Sequence, residues 1–415
     1  MRKGKSMNKK SFYEGNIVIV SAVRIPFSKF GGVLRDMRSI DLGAAAIRGV
    51  VKRVNIDPNK IDEVYYGTCL PPEVALDLAV AGRQAVLAAG LPHKTVSLTI
   101  DRACCSSLSA VQLGCRDIRV GAAEVVIASG AENMSRTPHL VPGLRWGNVN
   151  RIGNITLIDK LFEYGVEGFA PAARETGEVA LEFGVSRADQ DNWAYLSQMR
   201  YAKAASEGKF KDEIIPIEVP QKKGPPIVFD KDEFPKPDTT VEKLAKLPTI
   251  YGSPTVTAGN APGLDAGASA VLFMTEKKAK ELGLTPLATI LSVQSVATDP
   301  RMMATAPALV IEKAASEAGI RVDEIKLIEV NEAFAVMPLV ASKMLAKNDE
   351  KKTEALRQIM NVNGGAIAIG HPVGASGGRI LMTLMYELKR RGGGYGACGI
   401  CGGLGQGDGA IIKVG

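Results

Sequence analysis

Two distant stretches of the chain carry the same apolar spacing. Ile56, Ile61, Val64 and Tyr66 are matched by Ile320, Ile325, Ile328 and Val330, every pair separated by one constant distance along the sequence. Each set follows an amphipathic helical pattern and leads into a polar turn. A repeat at so long a period constrains the chain to two similarly folded α/β halves. The first half opens on a β-branched apolar run at 17–23, the pattern of a buried strand. A Pro/Gly loop follows, then a helix capped by Asp41 and running to about Arg53, with Leu42, Ala45, Ala46 and Val50 on one face. A second strand is expected over 62–67.

Between the halves, roughly over 132–259, the character changes. This stretch holds both tryptophans and the Pro/Lys/Asp-rich run at 221–238. A long insertion into a repeat usually forms a lid or binding subdomain. Helices are expected at 177–183 and 186–207, the second opened by Ser186 and Asp189 as a capping box. The expected division is a disordered basic tail at 1–14, an N-terminal half at 15–283 that includes the insertion, and a C-terminal half at 284–415.

With 415 residues the chain has room for both halves and a large core. It contains no apolar run of membrane-spanning length. A net charge of +7 favours an anionic ligand, but no basic stripe interleaved with aromatics points to nucleic acid. Six cysteines in so long a chain are too sparse for a disulfide framework, so a reducing cytoplasm is expected.

Four segments carry candidate chemistry. His371 is one of three histidines and stands in Gly370-His371-Pro372-Val373-Gly374-Ala375-Ser376-Gly377, a loop whose glycines permit close approach around an imidazole. Cys104 and Cys105 open a helix of small residues, where free N–H groups favour a thiolate; a buried small hydrophobe is the competing reading. Cys398 and Cys401 form a C-x-x-C, yet no second ligand pair accompanies them for zinc, and a Gly-rich turn rather than a helix follows them. Asn331-Glu332-Ala333-Phe334-Ala335 ends the strand of the second repeat, where open α/β sheets present functional groups.

Together these segments resemble the thiolase family, from about Ile17 to Val414. The family's nucleophile motif matches at Cys104, its N-E-A-F-A at 331–335, its G-H-P-x-G-A-S-G at 370–377, and its terminal C-x-G-x-G at Cys401-Gly402-Gly403-Leu404-Gly405. The run 255–260, which includes Ala258, is similar to a further family signature. The resemblance implies a five-layered αβαβα fold of two duplicated halves with a coenzyme A-binding insertion. It implies a homotetramer acting on acyl-CoA, with CoA as co-substrate and no other cofactor or metal. Cys104 would carry the acyl group, helped by His371. Cys401 would handle the α-proton, and Asn331 would anchor a water at the enolate oxygen. The N–H groups of Cys104 and Gly403 would cradle the oxyanion. Sulfur suits these tasks if the site lowers its pKa.

The sequence also departs from the family. Lys236 stands where an arginine often meets the adenine end of CoA, and Pro262 replaces a serine near the pantetheine arm. Ala172-Ala173 replace a Met-Gly pair, so the acyl pocket is expected to admit longer or branched chains unless Phe169 or Phe334 fills the space. A strict acetoacetyl-CoA-forming enzyme is the alternative. A β-ketoacyl synthase would not explain the C-x-G-x-G ending, and a non-catalytic CoA- or lipid-binding relative would be expected to lose Cys104, His371 or Cys401.

Overall fold

The computed structural model describes residues 12–77, 79–146, 152–161 and 170–415. Its framework is nine strands: β1 Ile17–Arg24, β2 Glu63–Gly67, β3 Val96–Ile100, β4 Val125–Asn133, β5 Asp265–Thr275, β6 Ala288–Ala297, β7 Ile325–Val330, β8 Gly394–Gly402 and β9 Gln406–Val414. They form one continuous hydrogen-bonded sheet in the order β7-β8-β9-β6-β1-β5-β4-β2-β3, with the short pair Ser28–Lys29 attached to β5. The seven helices used below are α1 Ser39–Arg53, α2 Ser106–Val120, α3 Ala172–Glu182, α4 Arg187–Ser206, α5 Ala306–Glu317, α6 Val336–Leu345 and α7 Ser376–Arg390.

The duplication is visible in this order. From β1 outward, β5 and β4 add antiparallel, then β2 adds parallel to β4 and β3 parallel to β2. From β6 outward, β9 and β8 add antiparallel, β7 adds parallel to β8, and Met360 bridges parallel to Ile328 in the place of a fifth strand. β2 and β7, the strands of the sequence repeat, thus occupy equivalent places. Even the irregularities recur, at Ile19/Ser21 in the first half and Ile290/Ser292 in the second. The halves join where β1 runs antiparallel to β6 over Ile17–Ile19.

Alternation along the strands assigns the layers. In β1, Val18, Val20 and Val23 pack outward with Ile40, Ile47 and Val50 of α1. Ile17, Ile19 and Ala22 turn inward, against Leu108 and Val111 of α2 and Ile380 and Leu384 of α7. The inner layer collects side chains from both halves, including Phe273 of β5, Ile290 of β6 and Ile412 of β9. On the far side Ile328, Val330 and Ile411 meet α5 and α6. The result is helix, sheet, helix, sheet, helix. Among the described residues no helix is long and apolar enough to cross a membrane.

Some boundaries differ from those expected. α1 begins at Ser39, whose backbone N–H and hydroxyl both meet the buried Glu73, so Asp41 lies in the first turn, paired with Arg38 at 2.7 Å. α3 begins at Ala172 behind Pro171, ahead of the expected Gly177. α4 has the expected capping box, with Ser186 and Asp189 each taking the other's backbone N–H. Residues 1–11 of the basic tail lie outside the described residues. Tyr13 is tied to Arg119 by main-chain and guanidinium bonds of 2.8 Å.

One carboxylate pins the insertion to the C-terminal half. Glu332, directly after β7, accepts from Trp193 Nε1 (2.9 Å) and Ser197 Oγ (2.8 Å) of α4, from Asn361 Nδ2 (2.9 Å) and from the Ile367 N–H (3.1 Å). Stranding buried donors costs about 1–3 kcal/mol each. Glu332→Ala should therefore lower stability by at least about 3 kcal/mol in urea unfolding. A loss under about 1 kcal/mol would show that these bonds do not hold the insertion.

Candidate active site

Four sequence segments distant from one another meet at the ends of the strands. α2 is preceded by Ala103, Cys104 and Cys105, and Cys105 occupies the N-cap position. Ala103 takes the left-handed φ of 47°, a conformation costly for a residue with a Cβ and characteristic of functional turns. Cys104 is thereby set just ahead of the helix and stays partly exposed, while Cys105 is buried with its thiol toward the Ile400 carbonyl (3.5 Å).

The histidine loop lies against this turn. His371 Nε2 is 3.2 Å from Cys104 Sγ and 3.4 Å from Asn331 Nδ2. His371 Nδ1 is 2.6 Å from Ser376 Oγ, and that hydroxyl donates to the Pro372 carbonyl at 3.0 Å. With its proton committed to Pro372, Ser376 accepts from Nδ1–H. Nε2 is left as the lone pair that faces the thiol. The backbone N–H of His371 donates to Asp265 Oδ2 at 2.6 Å. Gly374 N–H donates to Glu132, which also accepts from Thr68 Oγ1, Cys69 N and Leu70 N, all between 2.9 and 3.1 Å. The fit needs glycine, because a Cβ on Gly130 would lie 2.0 Å from the Gly374 carbonyl oxygen.

Cys401 lies near the end of β8, and the chain reverses after it through Leu404 (φ 64°) and Gly405 (φ 74°). A Cβ on Gly403 would lie 3.5 Å from Ala103 Cβ, so this hairpin faces the turn that carries Cys104. Cys398 and Cys401 belong to opposite layers, Cys398 in the inner one and Cys401 in that of α5 and α6. The C-x-x-C therefore presents no paired thiols.

The electrostatics depart from the sequence-based expectation of a low thiol pKa. Burial raises Cys104 well above the usual thiol value, and the neighbouring Cys401 opposes its ionisation further. Burial pushes Cys401 up to about 12. Burial and then the charge of Arg379 push His371 down to about 3. The resting pair is thiol and neutral imidazole, because enclosure outweighs the free N–H groups at the helix start.

Two hollows bear on the sequence-based expectations, the first of them beside the site. One of about 490 Å³ is lined by Cys69, Ala103, Ala172, Met303, Gly403 and Leu404. Another of about 260 Å³ is lined by Gln198, Phe234, Lys236, Leu247 and Ala258. Lys236 Nζ lies 5.0 Å from the centre of the Phe234 ring. Pro262 is half-buried on the same turn as Ala261 without lining that hollow, and Phe334 packs against the C-terminal core. Phe169 lies outside the described residues. Ser376, Glu132, Asp265 and Arg379 were not singled out in the sequence. Only Ser376 had a signal there, its place in the histidine motif.

A thiol beside a neutral imidazole, with a second thiol and an amide at the same strand ends, defines a site for covalent acyl transfer. Residues 17–277 match the thiolase N-terminal domain and residues 284–414 the thiolase C-terminal domain. The chain is 42% identical over 402 residues to an acetyl-CoA acetyltransferase of Chromobacterium violaceum, covering 96% of this chain and 99% of that protein. It is 38% identical to a beta-ketoadipyl-CoA thiolase of Acinetobacter baylyi, covering 95% and 98%. The structure of human mitochondrial 3-ketoacyl-CoA thiolase in complex with CoA superimposes with a TM-score of 0.90 at 36% identity, covering 98% of this chain and 99% of that one. The chain belongs to the thiolase family. It is an acyltransferase with thiolase activity.

Because the resting pair is neutral, kcat/KM should stay flat between about pH 5 and 8.5, with no step near the ordinary histidine value. Protonation of His371 disables the base only as pH falls toward its depressed pKa. Ser376→Ala should lower that plateau at least about tenfold by freeing the wrong tautomer. A bell centred near pH 6.5 in a kcat/KM profile would contradict the neutral pair.

Proposed function

We propose that this chain is a 3-oxoacyl-CoA thiolase of relaxed or longer-chain preference, working through an acyl-cysteine on Cys104. The observation that carries the reading is the 3.2 Å approach of Cys104 Sγ to the acceptor nitrogen of a histidine whose tautomer Ser376 holds. His371 takes the thiol proton as Cys104 attacks a thioester or 3-oxo carbonyl. The N–H groups of Cys104 and Gly403 hold the oxyanion that forms. In condensation Cys401 removes the α-proton of acetyl-CoA, and the enolate oxygen rests on His371 and a water held by Asn331. Enolate carbon then displaces Cys104 sulfur. In thiolysis the same steps run backward: Cys401 protonates the departing acetyl-CoA carbanion and CoA thiolate releases the acyl group.

CoA enters as co-substrate, with no further cofactor in these steps. The smaller hollow, with Lys236 and Ala258, supports a place for CoA beside the insertion. Pro262 and Phe334 are assigned to the flanks of that path, and the protein to a cytoplasmic homotetramer. Ala172 on the wall of the larger hollow supports an acyl chain longer than acetyl, since alanine leaves space where a longer side chain would close it.

The assay is CoA-dependent thiolysis of acetoacetyl-CoA. Cys104→Ser should form no acyl-enzyme and lose about 10³-fold or more in kcat. Cys401→Ser should still acylate Cys104 from acetyl-CoA but fail at the carbon–carbon step. Wild-type condensation by Cys401→Ser would remove Cys401 from its role.

Chain length has its own measurement, kcat/KM across four-, six- and eight-carbon 3-oxoacyl-CoA substrates. Each methylene is worth about 1–3 kcal/mol at most, so a graded profile that holds or rises with length is expected. A steep fall beyond four carbons would show that the pocket is closed.

A further inference from the structure

Arg379 is fully buried in α7, in the inner layer between the two sheets. Burying a guanidinium costs several kcal/mol unless its partners are well placed. Its partners lie in one short segment. Nη1 faces Glu329 Oε2 at 3.4 Å, and Nη2 donates to Asn331 Oδ1 at 3.2 Å. Glu329 and Asn331 bracket the end of β7, and the Asn331 main-chain N–H is bound to the Gly399 carbonyl at 3.0 Å. The amide of Asn331 can therefore turn about its side-chain bonds but not shift with its backbone.

We infer that Arg379 is a positioning residue for the carbon–carbon step: its bond to Asn331 Oδ1 aims the amide NH₂ at His371 Nε2, 3.4 Å away, and at the space where the enolate oxygen forms. A guanidinium offers only donors, so the atom facing Arg379 must be the amide oxygen and the atom facing the imidazole must be the NH₂. Released from Arg379, the amide could turn its oxygen to Nε2. Once Nε2 had taken the Cys104 proton, that oxygen would accept it and hold the histidine away from the substrate. No donor would then remain for the enolate or its water. Glu329 fixes the guanidinium in turn, and Nε finds no partner among the described residues, so the two Nη atoms carry its alignment.

The inference rests on the assignment of Asn331 to the enolate, and the experiment separates the two. Asn331→Ala, Arg379→Lys and the double variant are compared in acetoacetyl-CoA thiolysis and in exchange of labelled CoA into acetyl-CoA, which needs only Cys104 acylation. Lysine keeps the charge for Glu329 but has no planar fork to serve both partners. Each single variant should lose at least about tenfold in kcat for thiolysis, with KM within about threefold and a smaller loss in exchange. The double variant should be no slower than Asn331→Ala. If Asn331→Ala is impaired while Arg379→Lys is not, or if the losses multiply, the inference about Arg379 falls alone. If Asn331→Ala turns over at the wild-type rate, the enolate assignment falls and the inference with it. Where Arg379→Lys does not fold, Glu329→Gln removes the charge that holds the same guanidinium; a kcat reduced about threefold or more at unchanged KM is expected, and an unchanged kcat overturns the inference.

Discussion

Four short bonds onto Glu132 hold the reaction centre together. The carboxylate lies at the end of β4, in the N-terminal sheet, yet it takes the N–H of Gly374 from the histidine loop and those of Cys69 and Leu70 beyond β2. Burial raises its pKa to about 7, against the downward pull of the bonds from Cys69, Thr68 and Gly374. The carboxylate thus ties the histidine loop to the turn after β2 without bonding to His371 or Cys104. Glu332 does similar work in the second half, joining the end of β7 to the insertion and to Asn361. Glu132 lies at the end of β4 and Glu332 just beyond β7, and both satisfy four donors at once, which is the condition for keeping such a group buried.

The neutral state of the thiol and imidazole follows from that enclosure. A thiolate on Cys104 would be poorly solvated in so enclosed a site, so in the proposed reaction the proton stays on sulfur until a substrate carbonyl arrives to accept the electron pair. Proton transfer and attack are then linked, and the loop needs only to hold one lone pair toward one sulfur. Ser376 and Pro372 do this within the loop itself.

The repeat and the candidate site residues were legible because they are local. Ile61, Val64 and Tyr66 recur as Ile325, Ile328 and Val330, and those runs are equivalent strands of the two halves. Cys104, Asn331, His371 and Cys401 stood out because each lies in a short motif with strong backbone demands. The residues that orient them were not legible. Asp265 reaches His371, Glu132 reaches Gly374, and Arg379 reaches back to Asn331, partnerships that exist only once the sheets have stacked. The start of α1 was missed for the same reason, since Glu73 supplies the acceptor that no neighbour of Ser39 provides. The thiol pKa followed burial rather than helix position, and burial is a property of the assembled layers.

The path of β1 through the sheet bears on how the chain is made. β1 emerges first, yet its partners are β5 and β6, with Ile17 opposite both Thr275 and Ile290. A nascent chain leaving the ribosome holds its first strand unpaired on both edges until the whole insertion has been synthesised. Contacts of such long sequence separation close slowly, and an open apolar edge invites association with other chains in the meantime. The same strand that welds the halves into one sheet also makes their folding a single late event, dependent on whatever shields Ile17 to Arg24 before β5 arrives.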